Sequence, residues 1–203
     1  MIAWGGLYYP SPYLNTGGIY CAQPSAPIMQ SVVSRKMHVP FGNFDIALPL
    51  NGTPGVECRS GGATNDYRLL LTFLANVSVN GNPQAAVTSG VGTIGSNGVS
   101  NGGNVLVAGN LVTIPLTNVA NAQTIQVTLY GVNGSTNFVI PMSVLTGDMN
   151  GNARVNASDV SQTKARVGQQ IDSTNFRSDV NANGYIDAAD IALVKSSLGT
   201  GLP

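Results

Sequence analysis

Residues 148–159 read DMNGNARVNASD and residues 179–190 read DVNANGYIDAAD, one pattern written twice at an offset of 31 residues. Asp148, Asn150, Asn152, Asn156 and Asp159 return as Asp179, Asn181, Asn183, Asp187 and Asp190. The apolar frame repeats with them as Val155/Ile186, Val160/Ile191 and Val167/Leu198, followed by Gly168/Gly199. Oxygen-bearing side chains at positions 1, 3, 5, 9 and 12 of a loop that enters a helix are the spacing that wraps calcium in oxygen ligands.

In loop one, Asp148, Asn150, Asn152 and Asn156 supply side-chain oxygens, Arg154 its backbone carbonyl, and Asp159 closes the shell from the first helical turn. Loop two assigns the same roles to Asp179, Asn181, Asn183, Asp187, the carbonyl of Tyr185, and Asp190. Two calcium sites are expected, with loop two the tighter because it brings three carboxylates against two. The closing residue is Asp where an ordinary EF-hand has Glu, so the chain must approach the ion more closely there. Gly184 holds the sixth position, where the loop turns sharply; loop one departs from this, with Ala153 at that place and Gly151 two residues earlier. Helices are predicted over 157–167 and 188–198, each ended by a glycine suited to a left-handed cap.

The rest of the chain makes this concentration of carboxylates stand out. Of 203 residues only 9% are charged, the formal net charge is zero, and five of the nine acids occupy loop positions. Such a chain offers no basic face for nucleic acid. No run approaches the ~20 apolar residues of a membrane span. Trp4, Gly5, Gly6, Pro10 and Pro12 interrupt any signal-peptide core, so another secretion route or a processed chain is expected. The 25 glycines, with abundant Asn, Thr, Ser and Val, fit an extracellular β-protein of short strands and tight turns.

Between residues 30 and 146 the pattern predicts strands at 31–39, 43–48, 67–75, 84–88, 104–108, 111–116, 124–130 and 137–145. Ile125, Val127 and Leu129 alternate with Gln126 and Thr128, giving one buried and one wet face, and Val112, Ile114 and Leu116 alternate similarly. Leu69, Leu70, Leu71, Phe73 and Leu74 leave few polar positions and suggest a central strand. Asn-Gly pairs at 51, 80, 97, 101 and 133 mark turns, and the stretch 89–103 reads as a long loop or a weak hairpin. The expectation is mainly β: an antiparallel β-sandwich of about eight strands, Greek-key or jelly-roll-like, followed by a small all-α pair of calcium-loop-helix units over 147–203.

Residues 1–29 form a third segment. Trp4, Tyr8, Tyr9, Tyr13 and Tyr20 are five of the chain's thirteen aromatics, and such surface is expected to pack, either on its own domain or on a neighbouring subunit. Cys21 and Cys58, the only cysteines, are a candidate disulfide tying this arm to the sandwich; two buried thiols are the alternative.

On these residues, 147–199 resembles a type I dockerin, the paired calcium-loop-and-helix module of cellulosomes and of many bacterial surface proteins. The resemblance implies a protein partner with a β-sandwich, since dockerins bind cohesins. By position, it implies contacts from Ser158, Val160, Ser161, Lys164 and Arg166 on the first helix and Ala189, Ala192, Lys195 and Ser196 on the second. Ser158 against Ala189 and Arg166 against Ser197 break the two-fold symmetry. The arrangement also resembles the C-termini of large secreted bacterial proteins, where a β-domain precedes such a tail.

Catalysis finds little support. Outside the loops the carboxylates are Asp45, Glu57, Asp66 and Asp172; the first three belong to the β-region, and no nucleophile-elbow motif accompanies the single histidine, His38, which reads as a surface or strand-end residue. The sequence therefore predicts a non-catalytic structural protein at the cell surface or outside it, whose module docks on a β-sandwich. That sandwich belongs either to the next copy, giving a head-to-tail filament, or to a separate cohesin-like scaffold. Glycan binding through exposed aromatics is a further alternative, and Asn51, Asn76 and Asn133 are candidate glycosylation acceptors on turns or strand ends.

Overall fold

The computed structural model describes residues 26–96 and 104–203. The predicted aromatics of the N-terminal arm, Cys21, and the turns at Asn97 and Asn101 lie outside them. Among the described residues ten strands precede two α-helices: β1 Met29–His38, β2 Gly42–Leu48, β3 Val56–Glu57, β4 Tyr67–Phe73, β5 Ala85–Ser89, β6 Thr93–Ile94, β7 Leu106–Ala108, β8 Leu111–Thr117, β9 Gln123–Val132, β10 Thr136–Val144, α1 Ala157–Arg166 and α2 Ala188–Ser196. All eight predicted strands are present, together with the two-residue β3 and β6.

The strands form two sheets. One runs β2-β1-β4-β8-β6, with β7 also paired to β8; the other runs β3-β10-β9-β5. Every ladder is antiparallel except β3 beside β10, where a single short parallel pairing departs from the all-antiparallel expectation. The Asn133-Gly134 turn works as its sequence suggests: both residues have positive φ, 49° and 107°, and they join β9 to β10.

Period-two alternation builds the core between the sheets. Val112, Ile114 and Leu116 of β8 face Ile125, Val127 and Leu129 of β9, all at most 1% exposed. β4 lies between β1 and β8, and Leu69, Leu71 and Phe73 are fully buried, as its apolar run requires. Thr128 differs from its predicted wet position: it is buried, with its hydroxyl 3.0 Å from that of Thr88 on β5. A cross-strand threonine pair lets a polar side chain sit inside without an unmade hydrogen bond.

A second core joins the sandwich to the helices. Ile46 and Cys58 from the β-region pack with Leu145, Met149, Val155, Val160, Val180 and Val194. A helix pair with so few apolar residues cannot bury enough surface alone, and here it shares that of the sandwich. No helix among the described residues is long and apolar enough to cross a membrane.

Candidate metal centre and docking face

Both loops fold the same way because their side chains bond their own backbone. Asp148 accepts from the amides of Asn152 (3.1 Å) and Ala153 (2.9 Å); Asp179 accepts from Asn183 (3.0 Å) and Gly184 (2.8 Å). Asn150 and Asn181 each accept from the amide two residues on, as do Asn152 and Asn183. Asn156 and Asp187 are helix N-caps, and Asp159 and Asp190 close a reciprocal capping box with them. The closing Asp also reaches back to the start of its loop, Asp159 to the Met149 amide and Asp190 to the Val180 amide, at 2.9 and 2.8 Å.

The fourth and sixth residues of each loop take left-handed conformations. Gly151 and Ala153 have φ of 71° and 67°; Ala182 and Gly184 have 57° and 92°. Ala153 therefore makes the turn that its sequence placed in question, and the two loops exchange glycine and alanine between the same two positions. Beyond the helices, Gly168 and Gly199 have the expected left-handed φ, 80° and 83°, but α2 already ends at Ser196, and the two glycine amides bond the carbonyls of Ile186 and Val155 in the opposite loops, not those of their own helices.

Burial and charge test whether these residues fit a cation. Asp148, Asp159, Asp179 and Asp190 are all fully buried, two to a loop. Burial pushes the Asp148 and Asp190 carboxyls up from the usual range, and the like charges of Asp159 and Asp179 add to it against the pull of the backbone amides. Among the described residues no lysine or arginine pairs with any of the four. Paired buried carboxylates without a cationic side chain call for an ion. Clusters of three or more His, Cys, Asp or Glu suited to a metal are absent among the described residues. The loops instead complete their oxygen sets with asparagine and backbone carbonyls, a donor set that suits a hard cation such as calcium and not zinc. The chemistry of the donors suits such a cation; the residues that would hold it are Asp148, Asn150, Asn152, Arg154, Asn156 and Asp159 in the first loop and Asp179, Asn181, Asn183, Tyr185, Asp187 and Asp190 in the second.

Seven of the nine expected contact residues, Ser158, Ser161, Lys164, Ala189, Ala192, Lys195 and Ser196, are exposed. Val160 is not: it is 8% exposed and packs in the shared core, so its place on the docking face is corrected. Arg166 is half-buried and donates to the Ser178 hydroxyl at 3.1 Å.

The seam between sandwich and module holds residues that the sequence did not single out. Arg59 is fully buried; it donates to both oxygens of Glu57 at 2.8 and 2.7 Å and to the carbonyls of Phe44 and Ser34. Its remaining guanidinium contact is to Nε2 of His38 at 3.1 Å, and His38 Nδ1 lies 2.7 Å from Asp179 Oδ2. His38 thus ends β1, as the strand-end reading has it, and is fully buried, against the surface reading. Phe176 of the module stacks on Phe44 at 5.3 Å, with Arg59 over the same ring. Arg177 donates to the carbonyls of Met149 and Asp148 within the module and, across the seam, to that of Val56. Cys58 carries a fully buried thiol, 3.9 Å from the Arg177 carbonyl; the candidate bridge involves Cys21, which lies outside the described residues. One sequence signal was available: in a chain with so few charges, Glu57 and Arg59, of opposite sign, stand two residues apart.

The candidate glycosylation residues Asn51, Asn76 and Asn133 are all exposed. Asn133 is engaged, accepting from the Ser78 amide at 2.9 Å.

Comparison with curated proteins and with solved structures gives no match. Residues 146–199 match the family model of the dockerin type I domain, a span that contains both loops and both helices. Dockerin modules are non-catalytic, bind calcium and cohesin partners, and occur in secreted or cell-surface proteins. The C-terminal quarter of this chain is a type I dockerin module following a β-domain.

Proposed function

We propose that this chain is a non-catalytic extracellular docking protein, in which two calcium ions order the dockerin module and the exposed faces of α1 and α2 grip a β-sandwich partner of the cohesin kind. The observation that carries this reading is the division of the module's surface. One side, with Val160, Val180 and Val194, is committed to the chain's own sandwich, while the helix residues Ser158, Ser161, Lys164, Ala189, Ala192, Lys195 and Ser196 face outward. Surface left open on a module already anchored to its carrier is free for a partner.

Each loop carries oxygen-bearing residues at the spacing of a calcium loop, which supports the reading of one ion per loop. Of the carboxylates outside the loops, Asp45 is bound by Arg35 and Glu57 by Arg59, which leaves Asp66 and Asp172 without an ion pair among the described residues. Sizing the purified chain in calcium, alone and with a cohesin domain, tests the reading: a one-to-one complex that chelator dissolves supports it, and a calcium-loaded monomer that ignores the cohesin sinks it. Large assemblies of the chain alone, lost on chelation, would assign the helix faces to the sandwich of the next copy and so to a head-to-tail filament.

A further inference from the structure

Both loops pack on the sandwich, but among the described residues a sandwich side chain reaches a carboxylate only in loop two. Asp148 accepts its side-chain hydrogen bonds from the amides of its own loop. Its counterpart Asp179 has one more, to His38 at the end of β1, a residue 141 positions away. The direction of that bond follows from the other side of the ring. A guanidinium has only hydrogens to offer, so His38 Nε2, facing Arg59 Nη1, is the acceptor and the proton sits on Nδ1, aimed at Asp179. Arg59 is in turn held by Glu57, Phe44 and Ser34. The orientation of a loop-two carboxylate is thus set by a file of buried side chains that begins inside the sandwich.

The backbone carries the same asymmetry. A β-carbon built on Gly184 would fall on the carbonyl oxygen of Val39, whereas Ala153, its counterpart, carries that carbon and receives the Leu202 amide on its carbonyl. Glycine at the sixth position of loop two therefore answers to the approach of the β1–β2 hairpin; the turn itself accepts alanine, as loop one demonstrates. Ser60 donates to the Val180 carbonyl at 2.7 Å beside this contact.

We propose that the sandwich is part of the loop-two metal centre: His38 is a positioning residue that holds Asp179 from the sandwich side, so that calcium binding at loop two and seating of the module on its sandwich are one coupled equilibrium. Loop one binds independently of that seat. The inference rests on the reading of both loops as calcium sites. Coupling of this kind is reciprocal: the seat tightens the ion, and the ion tightens the seat.

Calcium titration of the full chain against a chromophoric chelator tests it, with amide exchange at Ser60 as a second reading. His38→Leu is expected to weaken one of the two sites by roughly 10–100-fold, the usual cost of losing an outer-shell partner, and leave the other unchanged. His38→Asn, which keeps an N–H near the place of Nδ1, restores part of the loss. Gly184→Ala is expected to weaken the same site, and calcium is expected to slow Ser60 exchange in the unsubstituted chain and less in either variant. If His38→Leu does not fold, Gly184→Ala and the Ser60 reading decide the matter. Unchanged affinities in the variants, equal losses at both sites, or Ser60 exchange indifferent to calcium would each overturn the coupling. Failure of the unsubstituted chain to bind calcium would instead overturn the reading of the loops, and the inference with it.

Discussion

Arg59 and Glu57 form an ion pair with both side chains at 0% exposure, joined through two nitrogens to two oxygens. A pair this deep contributes little by comparison with apolar packing, yet removing one partner leaves a charge buried without compensation. Arg59→Leu is expected to cost about 3–5 kcal/mol, read from the urea midpoint at constant slope. Replacing both partners, Glu57→Leu with Arg59→Leu, should recover part of that loss. A single variant within about 0.5 kcal/mol of the native chain would show that water reaches the pair.

Acid should act in opposite directions on the seam and on the loops. Burial drives the Glu57 carboxyl up, but the Arg59 charge and the hydrogen bonds from Arg59 and Ser34 outweigh it and hold the carboxyl below the usual range. A depressed folded pKa gives stability that is present above the unfolded value and lost as pH falls through the folded one. Asp148 and Asp190 are raised, so in the metal-free chain they oppose folding above their folded values and cease to do so below the unfolded ones. Calcium cancels that opposition. The stabilisation by calcium, measured as the difference in urea midpoint with and without the ion, is therefore expected to shrink from about pH 7 to about pH 4. A pH-independent difference would mean that these carboxyls stay charged throughout.

The two loops should be separable by substitution. Asp179→Ala with Asp190→Ala is expected to remove about one calcium per chain, and Asp148→Ala with Asp159→Ala the other. Loop two, with Asp187 where loop one has Asn156, is expected to fill first in a titration. Unchanged stoichiometry in either double variant would refute the ligand assignment.

How much of this was legible follows from how local each signal is. The loops and their helices rest on spacings of at most a dozen residues, and Asn156 and Asp187 announce both caps. β8 and β9 follow from alternation within each, and β4 from its apolar run. β3 and β6 have two residues each, too few to alternate, and exist only because β10 and β8 offer an edge. Thr128 reads as polar and is buried because Thr88 answers it from another strand. His38 depends on Asp179 across most of the chain, a distance over which no periodicity speaks. Its trace in the sequence was the unequal sixth position, Gly184 against Ala153, which reads as a weakness of loop one until Val39 is seen beside loop two.

On the docking face, Lys164 and Lys195 occupy equivalent, exposed positions near the ends of α1 and α2. Exposed substitutions away from caps and cores change stability by no more than about 0.5 kcal/mol. Lys164→Glu with Lys195→Glu is thus expected to leave the thermal transition in place while weakening capture of a cohesin by at least about tenfold, a difference of about 1.4 kcal/mol. Each single variant shows whether the partner uses one helix or either. A double variant that binds as the native chain does would move the docking surface elsewhere.

Cys58 offers a direct reading of whether the module leaves its seat. The thiol is buried under the Arg177 segment, and burial, only partly offset by Arg177, pushes it up to about 11, so little of it is thiolate at neutral pH. In a Cys21→Ser background, reaction with a maleimide should be very slow for the calcium-loaded chain. Chelation weakens the loops whose Val155 and Val180 share a core with Cys58, and should open that core more readily than the one between the sheets. The expected result is faster labelling of Cys58 in chelator, while amides of β4 and β9 stay protected. Labelling that accelerates only with loss of protection in those strands would mean that module and sandwich unfold as one unit.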